Sequence, residues 1–157
     1  MAQIPEPKWN EIVLARIVLR DADRGQQIYL TERDGKRGFP MVIGRAEADE
    51  IQRIVSGIES PRPFTHQLAH GLVEALGGQI VRAQIVDLRE GTFYAQLVLH
   101  DTGSSRAVLV DARPSDAIAL ALRAHASIHV AEFVLEQVRT DESGPDPLPE
   151  AEDTGPE

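Results

Sequence analysis

Two stretches of this chain match when one is slid 68 residues along the other. IVLARIV (12–18) falls on IVRAQIV (80–86) in the same apolar phase, and VIGRAEADEI from Val42 falls on VDARPSDAIA from Val110. The same shift lays Gly35 on Gly103 and Arg45 on Arg113. Equal spacing at both ends points to one supersecondary unit present twice, each copy too small to bury its apolar face alone.

Each copy reads as three strands and a helix. In the first, the segments 11–20 (EIVLARIVLR), 26–32 (QQIYLTE) and 39–44 (FPMVIG) have strand composition, and Asp, Gly and Lys turns divide them. A helix follows over 45–57, with Ile51, Ile54, Val55 and Ile58 at helical spacing and Gly57 near its end. In the second, strands fit 78–88, 92–100 and 105–112, and the stretch 110–126 (VDARPSDAIALALRAHA) supplies the helix. The expected fold is α+β: duplicated β-β-β-α units forming a mixed, mostly antiparallel sheet packed with helices.

Between the units lies an additional helical segment, 62–78 (RPFTHQLAHGLVEALGG). Thr65 is its expected N-cap, and Gly77 and Gly78 end it. At about 100° per residue, Leu68, Leu72, Ala75 and Leu76 share one side, while His66, His70 and Glu74 share the opposite one. The histidine side is therefore expected to point away from the helix's main apolar contact.

Composition narrows the class. A chain of 157 residues is the size of one domain with its own core. It has no cysteine, which removes disulfides, thiolate metal sites and cysteine nucleophiles and fits a reducing, cytoplasmic setting. The N-terminus lacks a signal-like apolar run, and no stretch reaches membrane-spanning length. The domain is expected over 10–137, after an extension at 1–9. The segment 138–157 reads as an acidic, proline-rich disordered tail whose expected role is solubility. Seven of the 25 acids lie from Asp141 onward, leaving 18 against 16 Lys and Arg in the body. Bulk charge thus neither favours nor forbids a nucleic-acid partner, since a local arginine cluster can still bind phosphate.

Two sets of residues have the makings of chemistry. His66, His70 and Glu74 stand at i, i+4 and i+8, a spacing that permits a metal site on a helix surface and equally describes a solvated polar face. Asp87 and Asp111 close strands, and Asp116 sits in the first turn of the second unit's helix. Oxygen ligands of this kind suit Mg2+ or Mn2+ in phosphodiester hydrolysis; the same residues serve as caps and turn formers, and Arg113 or Arg62 could pair with them. No phosphate-cradling glycine loop, nucleophile elbow or calcium loop occurs.

RPFTHQL (62–68), IVDLREGTFYAQL (85–97), VDARPSDAIALALR (110–123) and IGRAEADEI (43–51) together closely resemble the bifunctional nuclease domain family over about residues 10–137. The resemblance implies an α+β domain, a homodimer, and an enzyme that degrades both RNA and DNA. It marks Glu47, Arg62, Pro63, Thr65, His66, Asp87, Phe93, Asp111, Arg113, Pro114, Ser115 and Asp116 as motif positions. One departure stands out: the family commonly has Asp after the motif histidine, and here that position is Gln67. On this basis His66, Asp111 and Asp116 are candidates for catalysis, Arg62, Arg113 and Ser115 for phosphate, and Asp87, Asp111 and Asp116 for Mg2+ or Mn2+. Glu47, Thr65 and Phe93 would support the motif. The competing reading is a non-catalytic regulatory or protein-interaction module of the same fold.

Overall fold

The computed structural model describes residues 6–21 and 24–140. Most of the acidic tail expected at 138–157, its residues from 141 on, and the first five residues fall outside that range, as do two residues of the turn expected between the first two strands. What is described of that turn closes with Arg24 N–H donating to the Asp21 carbonyl at 2.9 Å.

The described elements follow the expected order of three strands and a helix in each half. The first consists of β1 (Trp9–Val18), β2 (Gln26–Glu32), β3 (Gly38–Ile43) and α1 (Arg45–Val55); the second of β4 (Gly78–Arg89), β5 (Thr92–Asp101), β6 (Ala107–Ala112) and α3 (Pro114–Arg123), with α2 (Thr65–Ala75) between them. Two further elements follow among the described residues: β7 (Ser127–Ala131) and α4 (Glu132–Thr140). Sequence periodicity stopped short of both, and α4 carries helix three residues into the stretch assigned to the tail.

All seven strands form one sheet in the order β3-β2-β1-β7-β4-β5-β6. β7 is the seam: it pairs antiparallel with β1 and parallel with β4, the one parallel pairing in the sheet. Each half therefore contributes a three-stranded antiparallel meander, and β7 joins them. The fold is α+β with a mixed, mostly antiparallel sheet, as the patterning implies.

Alternation explains which face is covered. Ile12, Ile28, Leu30, Phe39, Met41, Ala83, Ile85, Leu97, Ile128 and Val130 point to the same side and are buried. α1 packs against α3 and β2, and α3 against β4, β5 and β7. Alanines at 117, 119 and 121 of α3 are fully buried, and short side chains let the helix approach the sheet closely. α4 buries Val134 and Leu135 and is held by Glu132, which pairs with Arg37 at 2.6 Å and also accepts from Asn10.

α2 departs from the sequence reading in two ways. It starts with Phe64 in the N-cap position and Thr65 as its first helical residue, with no side-chain cap bond. Its orientation is also the reverse of that expected. The His66, Ala69, His70 and Val73 side faces the protein, while Leu68, Leu72 and Leu76 are exposed. A stripe of leucines identifies an apolar face; it does not say what covers that face.

Candidate functional site

The first turns of α1, α2 and α3 converge, and side chains lace them together. Asp116 and Glu47 both occupy the third helical position of their helices, where a carboxylate faces the positive end of the helix dipole. The Glu47 side chain folds back over Gly44, the residue before α1, so that its carboxylate lies where a Cβ at 44 would stand. On α3, Pro114 fits the first helical position, where no N–H is needed.

Arg113 is the centre of the lacing. Its Nε and Nη2 donate to Asp116 at 2.7 and 3.1 Å, and Nη2 also donates to Glu47 at 2.8 Å. Asp116 Oδ1 then meets His66 Nε2 at 2.8 Å. The chain Glu47–Arg113–Asp116–His66 thus links α1, α3 and α2. Burial pushes the Asp116 carboxyl up, but hydrogen bonds from Arg113 and His66 outweigh it and hold the group below the ordinary carboxylate range. An ionised carboxylate only accepts, so His66 Nε2 carries the proton of this bond, and in the neutral ring the lone pair is on Nδ1. An imidazole whose tautomer is fixed by a carboxylate is equipped to accept and return a proton.

Beside this network runs a groove of 750 Å3, lined among others by Met41, Val42, Gly44, Phe93, Arg113 and Ser115. Phe93 stacks on Phe39, ring centroids 5.3 Å apart, so its position is fixed by packing. Ser115 is buried at the groove. Arg62 is exposed in the loop before α2, and Ser60 Oγ donates to its carbonyl at 2.7 Å. Gln67 accepts from Ser60 Oγ at 3.2 Å and so turns to the loop rather than to Asp116.

The other expected ligands do not join this network. In β6, Val110 lies opposite buried Leu97, which turns Asp111 to the face of the sheet away from the helices, opposite Gln96. Asp87 accepts from the Leu88 N–H at 2.9 Å and pairs with Arg89 at 2.9 Å. Both Asp116 oxygens are already engaged. The three aspartates therefore form no oxygen cage for Mg2+ or Mn2+. The histidine stripe is split as well: His66 goes to Asp116, and His70 approaches Glu74 at 3.6 Å. Among the described residues, no group of three or more His, Asp or Glu is placed to hold a metal.

Sequence reasoning left Asp111 or Asp116 to pair with Arg113 or Arg62, of which the structure shows Asp116 with Arg113, and it put His66 at a helix start. It missed the link to Glu47, 66 residues from Arg113. The only available signal was the repeat, which set both helix entrances in equivalent positions.

Comparison with known proteins places these residues in a family. Residues 28–143 match the bifunctional nuclease domain. The chain belongs to the bifunctional nuclease domain family. A protein of uncharacterised function from Mycobacterium tuberculosis is 46% identical over 128 residues, covering 82% of this chain and 75% of its own length. Bifunctional nuclease 1 of Arabidopsis thaliana is 26% identical over 109 residues, and that of Oryza sativa subsp. japonica 25% over 114; the matches cover 68% and 71% of this chain but 34% of each plant protein. No helix among the described residues is long and apolar enough to cross a membrane.

Proposed function

We propose that the protein is a nuclease that hydrolyses phosphodiester bonds of RNA and DNA and works in the cytoplasm as a homodimer. The observation that carries the reading is the 2.8 Å contact between His66 and Asp116, two family-motif residues 50 positions apart, at the convergence of three helix N-termini. Such termini present free N–H groups and a positive potential to an anion. His66 Nδ1 would take or give the proton, Asp116 would orient the ring and stabilise its protonated form, and Arg113 and Arg62 would hold the phosphate. Ser115 would contribute from the groove wall. No step is routed through a metal, because the aspartates present do not gather around one point.

The same geometry supports a second reading. Both Asp116 oxygens are used in ties between helices, so the network could brace the fold of a non-catalytic interaction module. Cleavage of labelled single-stranded RNA and DNA, measured with Mg2+, Mn2+ or EDTA, separates the two. His66→Ala and Asp116→Asn should each slow cleavage by about 100-fold or more, well beyond what their loss of stability accounts for when cleavage is read far below each variant's melting temperature. Unchanged cleavage in both variants would sink the catalytic reading and leave the brace. The metal and EDTA arms distinguish a reaction run by the dyad alone from one that recruits an ion with the substrate.

A further inference from the structure

The two edges of the sheet are built differently. β3 carries Pro40 in its middle, a residue without an N–H that blunts an edge. β6, AVLVDA, has no proline and no lysine, and only Asp111 is charged. Its residues 107–111 are all exposed, including Val108, Leu109 and Val110. An apolar edge strand with its outward N–H and C=O groups unpaired is a template for another strand.

α2 is tied to this flank at its C-terminal end. It packs on α3 and β4, and its C-terminal end is fastened to the turn between β5 and β6, where Thr102 N–H and Oγ both donate to the Gly77 carbonyl at 3.0 and 2.6 Å. Its outward face exposes Leu68 and Leu72 at 55% each and Leu76 at 88%. Phe64 continues the stripe at the start of the helix, one ring face held under Arg53 at 4.3 Å. The helix thus turns its leucines outward and its histidines inward, an arrangement that wastes its apolar face unless something covers it.

We propose that a second copy of this chain covers this flank, with β6 pairing antiparallel to β6 across a two-fold axis and the leucine stripe of α2 buried beside it. Resting on the homodimer reading above, this assigns its interface. A second copy is the favoured occupant because the edge is self-complementary. An axis through Leu109 sets Val108 of each copy against Val110 of the other on the helix side, and the sheet then runs unbroken through both. The size also suits a dimer. α2 is about 16 Å long and β6 about 20 Å, so together they front several hundred Å2. A standard specific interface takes roughly 800 Å2 per partner. The patch forms the apolar centre of such an interface, with polar surroundings as its rim. The consequence for the site is direct: α2 is pinned from its outer side by the partner and from its inner side by His66.

Sedimentation velocity over a concentration series, without nucleic acid present, tests this separately from nuclease activity. Wild-type protein should sediment as two chains. Leu72→Glu and Val108→Lys should each raise the dissociation constant on the order of 100-fold, while Leu19→Glu, at an exposed position away from this flank, should leave it unchanged. If wild type is a dimer that both variants leave intact, the interface lies elsewhere and the homodimer reading stands; if wild type is a single chain at every concentration, both fall. Should the variants misfold, hydrogen exchange of wild type decides: β6 and α2 amides should slow as concentration rises, and concentration-independent exchange there overturns the proposal.

Discussion

The entrances to α1 and α3 occupy corresponding places in the two halves and have diverged in what they do. Each has an arginine beside the helix start and an acid at the third helical position. At α1 the arginine stays local: Arg45 pairs with Asp49 one turn on, and both are well exposed. At α3, Arg113 reaches across to Glu47 and Asp116 meets His66. The two entrances are alike in placement, and the network forms where side chains of one half cross to the other. One step deeper, the shift of 68 lays Glu50 on Ile118, and both are fully buried. An apolar residue fills the spot in the second half and a carboxylate fills it in the first.

Glu50 gives the sharpest way to break the comparison. At 1% exposure it is paired with Arg123 at 2.5 Å and Arg53 at 2.6 Å, a second tie between α1 and α3. Burial pushes its carboxyl up, yet the two arginines keep it below the ordinary range. Glu50→Ala strands two arginines that are 21% and 29% exposed and keep some contact with water, so it should cost about 2 to 3 kcal/mol. Urea denaturation reads this directly. A loss under about 1 kcal/mol, the level of a surface pair, would mean that the tie is ornamental and that the two halves are held by apolar packing alone.

Acid should separate the entrances next. Asp116 is held below its ordinary value by Arg113 and His66 against the opposing effect of burial. A carboxyl depressed on folding contributes stability that is fully present above its unfolded value, near 4, and is lost as pH falls through the folded one. Glu132 adds to the same window, since its bonds to Arg37 hold it at about 2. Stability measured by denaturation should therefore fall between about pH 4.5 and 2 in wild type, and less steeply in Asp116→Asn. Parallel curves for the two proteins would show that Asp116 gains nothing from its partners.

How much of this could be read in advance follows from the range of each signal. Alternation and helical spacing are local, and they located β2 at its observed bounds and α1 and α3 closely. β7 escaped because SIHVA is five residues long and runs into α4 at Glu132 without a Gly, Pro or Asn to punctuate it. The seam of the sheet was therefore invisible, although both meanders that it joins were legible. The face of α2 was misjudged for a related reason: periodicity finds an apolar stripe, while the inward side is selected by His66 meeting a residue 50 positions away. For the aspartates, composition suggested a common centre that strand parity forbids, since Asp111 points to the far face of the sheet.

The smallest expected effect comes from the entrance that stayed local. Arg45 and Asp49 form an i, i+4 pair with side chains 57% and 40% exposed, in the less favourable order with the cation N-terminal. Solvent screens such a pair, and holding two long side chains in one geometry costs entropy that offsets the attraction. Arg45 also sits at the positive end of the α1 dipole, where a cation is disfavoured. These terms nearly cancel, so Arg45→Ala should change stability by no more than about 0.5 kcal/mol. The same substitution at Arg113 should cost more despite its exposure, because it frees a largely buried Glu47 and one side of Asp116 at once. Equal losses at the two arginines would show that the cross-half links of α3 add nothing to what the repeat already provides.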